Sequence, residues 1–165
     1  MRKIRRIFIH HSASDWGSSW EIDNWHRFDN GWDEIGYHFV IVNGAYKPNQ
    51  IGTKLAKFLS GQIECGRPLD KTPSQARGFN KGSIGICLIH KDGEYEDRQL
   101  RSLKALVLKL MDEFNLDETA VFGHYEVDTK KKECPGIDMD KFRNELYLAR
   151  RLIHQFKKRE TEGEK

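Results

Sequence analysis

The segment at 83–90, Ser-Ile-Gly-Ile-Cys-Leu-Ile-His, restricts the fold more than any other stretch of the chain. It is apolar at successive positions rather than at alternate ones, which predicts a central strand covered on both faces. Further strands are predicted at 37–42, from β-branched and aromatic content, and at 4–10, which leads into the pair His10-His11. A sheet built around a two-sided strand needs helices on both faces.

Three amphipathic helices are predicted to supply that cover. The first spans 19–29 and follows Ser18, which stands three residues before a glutamate in the spacing of a capping box. The second is predicted to be capped by Asp97, and it carries the strongest apolar stripe of the chain. The last begins at Asp138 or Asp140. Its apolar side chains are predicted to face the sheet: Phe142, Leu146, Ala149 and Ile153.

Residues 45–60 are the hardest part of the chain to interpret. They are predicted to hold a short helix with three apolar side chains turned inward, namely Leu55, Phe58 and Leu59. A weak strand at 61–65 follows, so two strands succeed each other within an otherwise alternating order of strands and helices. This order predicts an α/β fold: a single domain with a mixed central β-sheet flanked by helices.

The length of 165 residues is that of one domain. We assign residues 1–156 to this domain and expect the charged segment 157–165 to fray as a tail. The hydrophobic content of 38% is enough for a core and excludes a disordered chain. Apolar runs are far shorter than the ~18 residues of a membrane span, so no membrane insertion is expected. The net charge of +3 is too small to favour a nucleic-acid partner, and we predict a monomer.

The N-terminal residues Met-Arg-Lys-Ile-Arg-Arg are basic but lack the apolar core and the small-residue cleavage site of a secretory signal. A cytoplasmic location is therefore expected. Three widely spaced cysteines, Cys65, Cys87 and Cys134, fit a reducing compartment. An odd number of cysteines suggests a metal-binding or catalytic thiol rather than a disulfide framework.

Histidine and cysteine side chains near strand ends are candidates for a metal site. His10 ends the first predicted strand, His124 follows a short predicted strand at 119–123, and Cys134 lies in the loop beyond it. Three such ligands, with a fourth position open to water, form a hydrolytic zinc site. The spacing alone is a weak signal, because the chain has seven histidines and a single histidine is more often structural.

Short motifs in a fixed order strengthen this signal. They are Phe8-Ile9-His10-His11-Ser12-Ala13, Trp25-His26, Gly36-Tyr37-His38-Phe39, Gly78-Phe79-Asn80, Ser83-Ile84-Gly85-Ile86-Cys87-Leu88, Gly123-His124 and Cys134-Pro135-Gly136. Over residues 4–144 the set resembles the type-2 N-acetylmuramoyl-L-alanine amidases, the family of phage-type amidase endolysins, which is related to peptidoglycan recognition proteins. The resemblance implies a zinc ion in a surface groove, and cleavage of the amide that joins N-acetylmuramic acid to L-alanine in peptidoglycan.

The resemblance also implies roles for individual residues. His10, His124 and Cys134 match the zinc ligands of the family. Tyr37 matches a tyrosine near the metal-bound water, and Lys132 matches a lysine that some catalytic members use. Zinc and this lysine would hold the developing oxyanion, and the tyrosine would position the water or the carbonyl oxygen.

One departure from the family pattern leaves the catalytic lysine open. His124 and Cys134 lie ten residues apart, which is wider than the usual family spacing. The inserted residues lie within 128–133, so Lys131 or Lys130 could take the place of Lys132.

Substrate contacts are predicted to come from the first helix and from the long loop at 66–82. The candidates are Trp25, Gln75 and Asn80. Gln75 stands where many members of the family have a histidine.

Two other functions compete with a lysin. A non-catalytic module that binds muropeptides is one, although non-enzymatic relatives usually lack the cysteine ligand that Cys134 supplies. A cytoplasmic amidase that recycles cell-wall fragments is the other, and it would use the same chemistry.

Overall fold

The computed structural model describes residues 2–163 and contains a sheet of five strands. In chain order these are β1 (Arg6–His11), β2 (Phe39–Ile41), β3 (Ile63–Cys65), β4 (Ser83–Leu88) and β5 (Val121–Gly123). Their order across the sheet is β3-β2-β4-β1-β5. Every residue of β4 is buried and the strand lies in the middle of the sheet, which confirms the central position predicted from its continuous apolar sequence.

The sheet is mixed, as predicted. β4 pairs in parallel with β1 and with β2, and β5 pairs in parallel with the other edge of β1. The edge strand β3 runs antiparallel to β2. Parallel pairing places the carboxyl ends of β1, β4 and β5 at the same edge of the sheet, so the segments that follow these strands meet there.

Within the described residues, four helices accompany the sheet. α1 (Ser19–Asn24) continues into a π-helical turn at Trp25–Asp29, and it is followed by α2 (Lys54–Leu59), α3 (Asp97–Glu113) and α4 (Met139–Gly163). Short 3₁₀ turns lie at Pro48–Gln50, Glu118–Ala120 and His124–Glu126. The Ser18 hydroxyl accepts a hydrogen bond from the backbone N–H of Trp20, which confirms the predicted cap of α1.

The two faces of the sheet pack against different helices. Ile9 and Ile86 belong to the core that α3 and α4 close. On the opposite face, Cys87 packs with Ile22 of α1. His10 is in register with Cys87 in the parallel pair of β1 and β4 and alternates with Ile9, so it points to the face that α1 covers.

The short helix α2 differs from the prediction for 45–60. Leu55 and Phe58 are 58% and 69% exposed, and Ala56 is the buried residue of the helix. The reason is a close backbone approach: a Cβ on Gly44 would lie 1.9 Å from the carbonyl oxygen of Ala56. The predicted inward orientation of Leu55 and Phe58 is therefore wrong, and Leu59 is half-buried.

The predicted cap of α3 is wrong by one residue, because Glu96 occupies the N-cap position and Asp97 is the first helical residue. In α4, Phe142 and Leu146 are buried as predicted. Ile153 is 43% exposed, since it lies beyond the part of α4 that packs on the sheet.

α4 extends well past the core. Every side chain from Arg150 to Glu160 is exposed, and the helix continues to Gly163. The tail predicted at 157–165 is thus helical in its described part, and residues 164–165 lie outside the described residues. The domain boundary at 156 and the fraying stay predictions. Within residues 2–163, no helix combines the length and apolar character that a membrane span requires.

Protonation of His38 is predicted to destabilise the fold in acid. Its Nδ1 accepts a hydrogen bond from the backbone N–H of Gly85 at 3.0 Å, which requires the neutral ring. Burial lowers the pKa of His38 from 6.5 to about 4. The unfolded chain therefore binds a proton that the folded chain does not. The free energy of unfolding should fall by up to about 3 kcal/mol from this group as the pH drops from 6.5 towards 4.

Urea unfolding at a series of pH values measures this contribution. His38→Gln should remove its share of the pH dependence, whereas His154→Gln, at an exposed position on α4, should leave the dependence unchanged. A residual slope is expected in the His38 variant, because burial also lowers the pKa of His26 to about 4. An identical slope in His38→Gln and the wild type would contradict the prediction.

Candidate metal centre and active site

His10 and His124 are brought together by the parallel pairing of β1 with β5. Ile9 lies opposite Gly123, and this is the last pair between these two strands. The residues that follow them, His10 and His124, are therefore close neighbours. The two imidazole centroids are 4.5 Å apart. Both histidines are buried, with 1% and 8% of their surface exposed.

Cys134 returns to these histidines through tight turns. The backbone N–H of Asp128 donates to the carbonyl of His124, and the N–H of Cys134 donates to the carbonyl of Lys131 at 3.0 Å. The loop therefore folds back on itself, and the Cys134 sulfur lies 3.9 Å from Nδ1 of His10.

The three side chains form a donor set that suits one zinc ion. One nitrogen from each of His10 and His124 and the sulfur of Cys134 lie within 4.8 Å of one another. A tetrahedral zinc ion, with bonds of ~2.1 Å to nitrogen and ~2.3 Å to sulfur, separates its ligand atoms by about 3.5 Å. Small side-chain movements bring the donors to that spacing and leave a fourth position for water or substrate.

Burial keeps both imidazoles neutral. It lowers the pKa of His10 well below 6.5, with a further contribution from the neighbouring His124, and it also lowers the pKa of His124. Burial raises the pKa of the Cys134 thiol to about 11, although the backbone N–H of His11, 3.4 Å from the sulfur, opposes this rise. Two nitrogen lone pairs are thus available at neutral pH, and the thiol must release its proton when a metal binds.

Gln75 fixes the orientation of His10. Its Oε1 lies 3.0 Å from Nε2 of His10, and its amide nitrogen donates to the hydroxyl of Ser83 at 2.9 Å. Because Oε1 can only accept, the His10 proton resides on Nε2 and the lone pair of Nδ1 faces Cys134. A Cβ on Gly85 would lie 2.0 Å from Oε1, so glycine at that position makes room for the amide.

Gln75 and Asn80 are predicted from the sequence to contact substrate. In the structure Gln75 is buried and bonded at both ends of its amide. The Asn80 Oδ1 accepts hydrogen bonds from the backbone N–H groups of Gln75 and Ala76 at 3.0 and 2.9 Å. Asn80 therefore shapes the turn that carries Gln75. Contact of either residue with substrate stays a prediction.

Tyr37 lies beside the centre. Its ring centroid is 5.0 Å from that of His10 and 5.5 Å from that of His26. Burial, together with the nearby Cys87 and Cys134, raises the pKa of Tyr37 well above 10. The phenol therefore stays protonated and can donate a hydrogen bond.

Lys131, rather than Lys132, is the lysine whose charge reaches the centre. The Lys131 ammonium lowers the pKa of His10, His124 and Cys134, while Lys132 is not among the charges that shift them. Both lysines are exposed. The catalytic role of Lys132, or of Lys131 or Lys130 in its place, stays a prediction.

Asp128 is a residue of the site that the sequence analysis misses. Its Oδ2 lies 3.9 Å from Nε2 of His124, and its charge raises the pKa of that ring against the effect of burial. A carboxylate beside Nε2 leaves Nδ1 of His124 for a metal. The i, i+4 spacing from His124 is the signal in the sequence, and it has meaning only once His124 is assigned as a ligand.

Trp25 lies in an aromatic groove outside the donor cluster. It packs edge-on against Trp16, with centroids 5.5 Å apart, and the groove is also lined by Trp20. The next residue, His26, is the one whose ring approaches Tyr37. The predicted contact of Trp25 with substrate stays a prediction.

Comparison with known proteins places this chain in one family. A family profile described as N-acetylmuramoyl-L-alanine amidase matches residues 1–137. The endolysin of Escherichia phage T7 is 31% identical over 158 residues, covering 88% of this chain and 90% of the relative. The endolysin of Klebsiella phage KP32 is 28% identical over 161 residues, covering 90% and 92%.

Solved structures show the same architecture. The N-acetylmuramoyl-L-alanine amidase LysC from Clostridium intestinale superimposes with a TM-score of 0.70 at 29% identity, covering 88% of this chain and 87% of the other. Drosophila PGRP-LB shares the fold, with a TM-score of 0.62 at 24% identity, covering 82% and 76%.

This chain belongs to the N-acetylmuramoyl-L-alanine amidase family. Its enzyme class is that of an amide hydrolase acting on peptidoglycan. The resemblance seen in the ordered motifs and the predicted α/β fold are both confirmed.

Gln75→Leu should weaken zinc binding by about ten- to a hundredfold, because leucine keeps the volume but cannot hold the Nε2 proton of His10. Competition with a chromophoric chelator measures the dissociation constant independently of activity. Gln62→Leu, at an exposed position, is the matched control and should bind zinc as the wild type does. Equal affinities of Gln75→Leu and the wild type would rule out the orienting role.

Proposed function

We propose that this enzyme cleaves the amide bond between N-acetylmuramic acid and L-alanine with one zinc ion held by His10, His124 and Cys134. The observation that carries the proposal is the convergence of two neutral imidazoles and one thiol where β1 and β5 end. Family membership supports the reaction, and the chemistry of the donor set supports the metal.

A zinc ion with three protein ligands supplies a Lewis acid for the amide carbonyl and lowers the pKa of a water molecule in its fourth position. Two neutral histidines and one thiolate would leave the centre with one net positive charge, which favours both effects. The buried position of His10 and His124 strengthens these electrostatic interactions, since bulk water is excluded from the ligand side.

Tyr37 and Lys131 are the groups we assign to the developing oxyanion. Tyr37 keeps its phenolic proton and donates it in a hydrogen bond to the carbonyl oxygen as negative charge builds up. The exposed Lys131 ammonium adds a positive charge at the rim of the same site. A preorganised donor such as Tyr37 typically lowers the barrier by ~3–4 kcal/mol, or roughly a hundred- to a thousandfold in rate, and the exposed lysine contributes less because solvent screens its charge.

Cell-wall lysis is the process that these features support best. The relatives from phages T7 and KP32 are named endolysins, and this chain spans most of their length. A module that only binds muropeptides is less well supported, because Cys134 completes a hydrolytic ligand set. The recycling role, the monomeric state and the cytoplasmic location stay predictions.

Cys134→Ser should lower the rate of hydrolysis at least a hundredfold, because a neutral hydroxyl replaces the thiolate ligand. The measurement is the release of new L-alanine amino groups from purified cell walls. Removal of metal with a chelator should abolish release by the wild type, and added zinc should restore it. Cys65→Ser, at an exposed position on β3, is the matched control and should retain full activity. Undiminished release by Cys134→Ser would contradict the zinc mechanism, and wall binding without release would favour the binding module.

Lys131→Ala and Lys132→Ala test the register of the catalytic lysine. Lys131→Ala should reduce kcat by about tenfold or more, since its charge reaches the ligands, whereas Lys132→Ala should stay near the wild-type value. Steady-state kinetics on a soluble muropeptide measure both. A large loss of kcat in Lys132→Ala, with Lys131→Ala near the wild-type value, would make Lys132 the catalytic lysine, as the family pattern implies.

A further inference from the structure

The apolar face of α4 continues beyond the core and is exposed to solvent there. Leu146 is fully buried, but Leu148, Leu152 and Phe156 are 49%, 55% and 61% exposed. These three residues recur every fourth position and therefore lie along one side of the helix. Ile153, 43% exposed, widens the stripe on the side of Leu146. Four large apolar side chains on successive turns are thus presented to solvent.

The positive charge of the chain is concentrated on the same segment. Residues 147–159 contain five Lys and Arg residues and no Asp or Glu. The rest of the chain then holds 23 basic and 25 acidic residues, so it is slightly acidic although the whole chain carries +3. The excess of positive charge therefore does not belong to the catalytic centre.

Most of the cations lie away from the apolar side chains of α4. At 100° per residue, Arg150, Arg151 and Lys158 fall on the side away from the stripe and Lys157 lies beside Ile153, while Arg159 falls in line with the stripe, one turn beyond Phe156. Arg150 donates to the carbonyl of Leu116 at 3.2 Å and anchors the base of the segment to the domain. The guanidinium of Arg151 lies 5.7 Å from the ring centre of Tyr147, on the polar side.

We propose that the segment at 147–159 of α4 binds in the plane of a bilayer that contains anionic lipid, with Leu152 and Phe156 in the acyl boundary and the cations at the headgroups. A basic amphipathic helix with a wide apolar face is the pattern of interfacial binding. The segment is about 20 Å long and far too polar to cross a bilayer, which fits the lack of a membrane-spanning helix among residues 2–163.

The charge of the segment favours an anionic membrane over a second copy of the chain or a glycan strand. A second copy docked through the same face would bring together two helices of net positive charge, since residues 147–163 hold five Lys and Arg residues against two Glu. A glycan strand offers no hydrocarbon phase for the leucine and phenylalanine side chains. An anionic membrane satisfies both the charge and the apolar stripe.

Sedimentation with vesicles tests the proposal. The full chain should bind vesicles of equimolar phosphatidylglycerol and phosphatidylcholine at least tenfold more tightly than vesicles of phosphatidylcholine alone, and added salt should weaken binding. The double variant Leu152→Gln/Phe156→Gln should bind the anionic vesicles about tenfold more weakly or worse. Arg151→Gln/Lys158→Gln should also weaken binding, and it should reduce the salt dependence.

Matched control variants come from α2, which also carries exposed apolar and basic side chains. Phe58→Gln and Lys54→Gln/Lys57→Gln should bind vesicles as the wild type does. Equal binding to both vesicle types, no binding at all, or loss of binding in the α2 variants would each overturn the proposal. A concentration-dependent dimer that dissociates in Leu152→Gln/Phe156→Gln, without vesicle binding, would assign the face to a second copy. The assay contains no peptidoglycan, so its outcome is independent of the proposed amidase mechanism.

Discussion

The parallel pairing of β1 with β5 is the constraint on which the site depends. It sets Ile9 opposite Gly123, so that the residues that follow them, His10 and His124, lie side by side. β1 is also paired along its other edge with β4 as far as His11, which holds the backbone of His10 within the sheet. Ligands on such strand ends keep their geometry better than ligands on free loops. The loop that carries Cys134 then has to reach only one point, which the sheet has already fixed.

Burial sets the protonation states of the three side chains that we propose as zinc ligands. The low-dielectric surroundings keep the two imidazoles unprotonated, but they also raise the pKa of the Cys134 thiol to about 11. Without a cation, the sulfur stays protonated and is a weak ligand. The amide of Gln75, held by Ser83, selects which nitrogen of His10 faces the centre. The first ligand is therefore orientated before any metal arrives, and the thiolate forms only when one does.

The sequence predicts what depends on local pattern and misses what depends on where loops close. Continuous apolar character is enough to place β4 at the centre of the sheet. The inward orientation of Leu55 could not be judged, because α2 docks through a backbone contact between Gly44 and Ala56. Whether Lys131 or Lys132 approaches the ligands depends on the turns before Cys134, which leave no periodic signal. Gln75 is identified as a candidate, but its partner is 65 residues away in the chain.

The most direct test of the proposed zinc centre is X-ray absorption at the zinc edge of the zinc-loaded protein. We predict one zinc per chain with a single sulfur ligand at ~2.3 Å and nitrogen ligands at ~2.1 Å. In Cys134→Ser the sulfur contribution should disappear while the nitrogen shell remains. A spectrum of the wild type without sulfur, or one that keeps its sulfur contribution in the variant, would contradict the assignment of the centre.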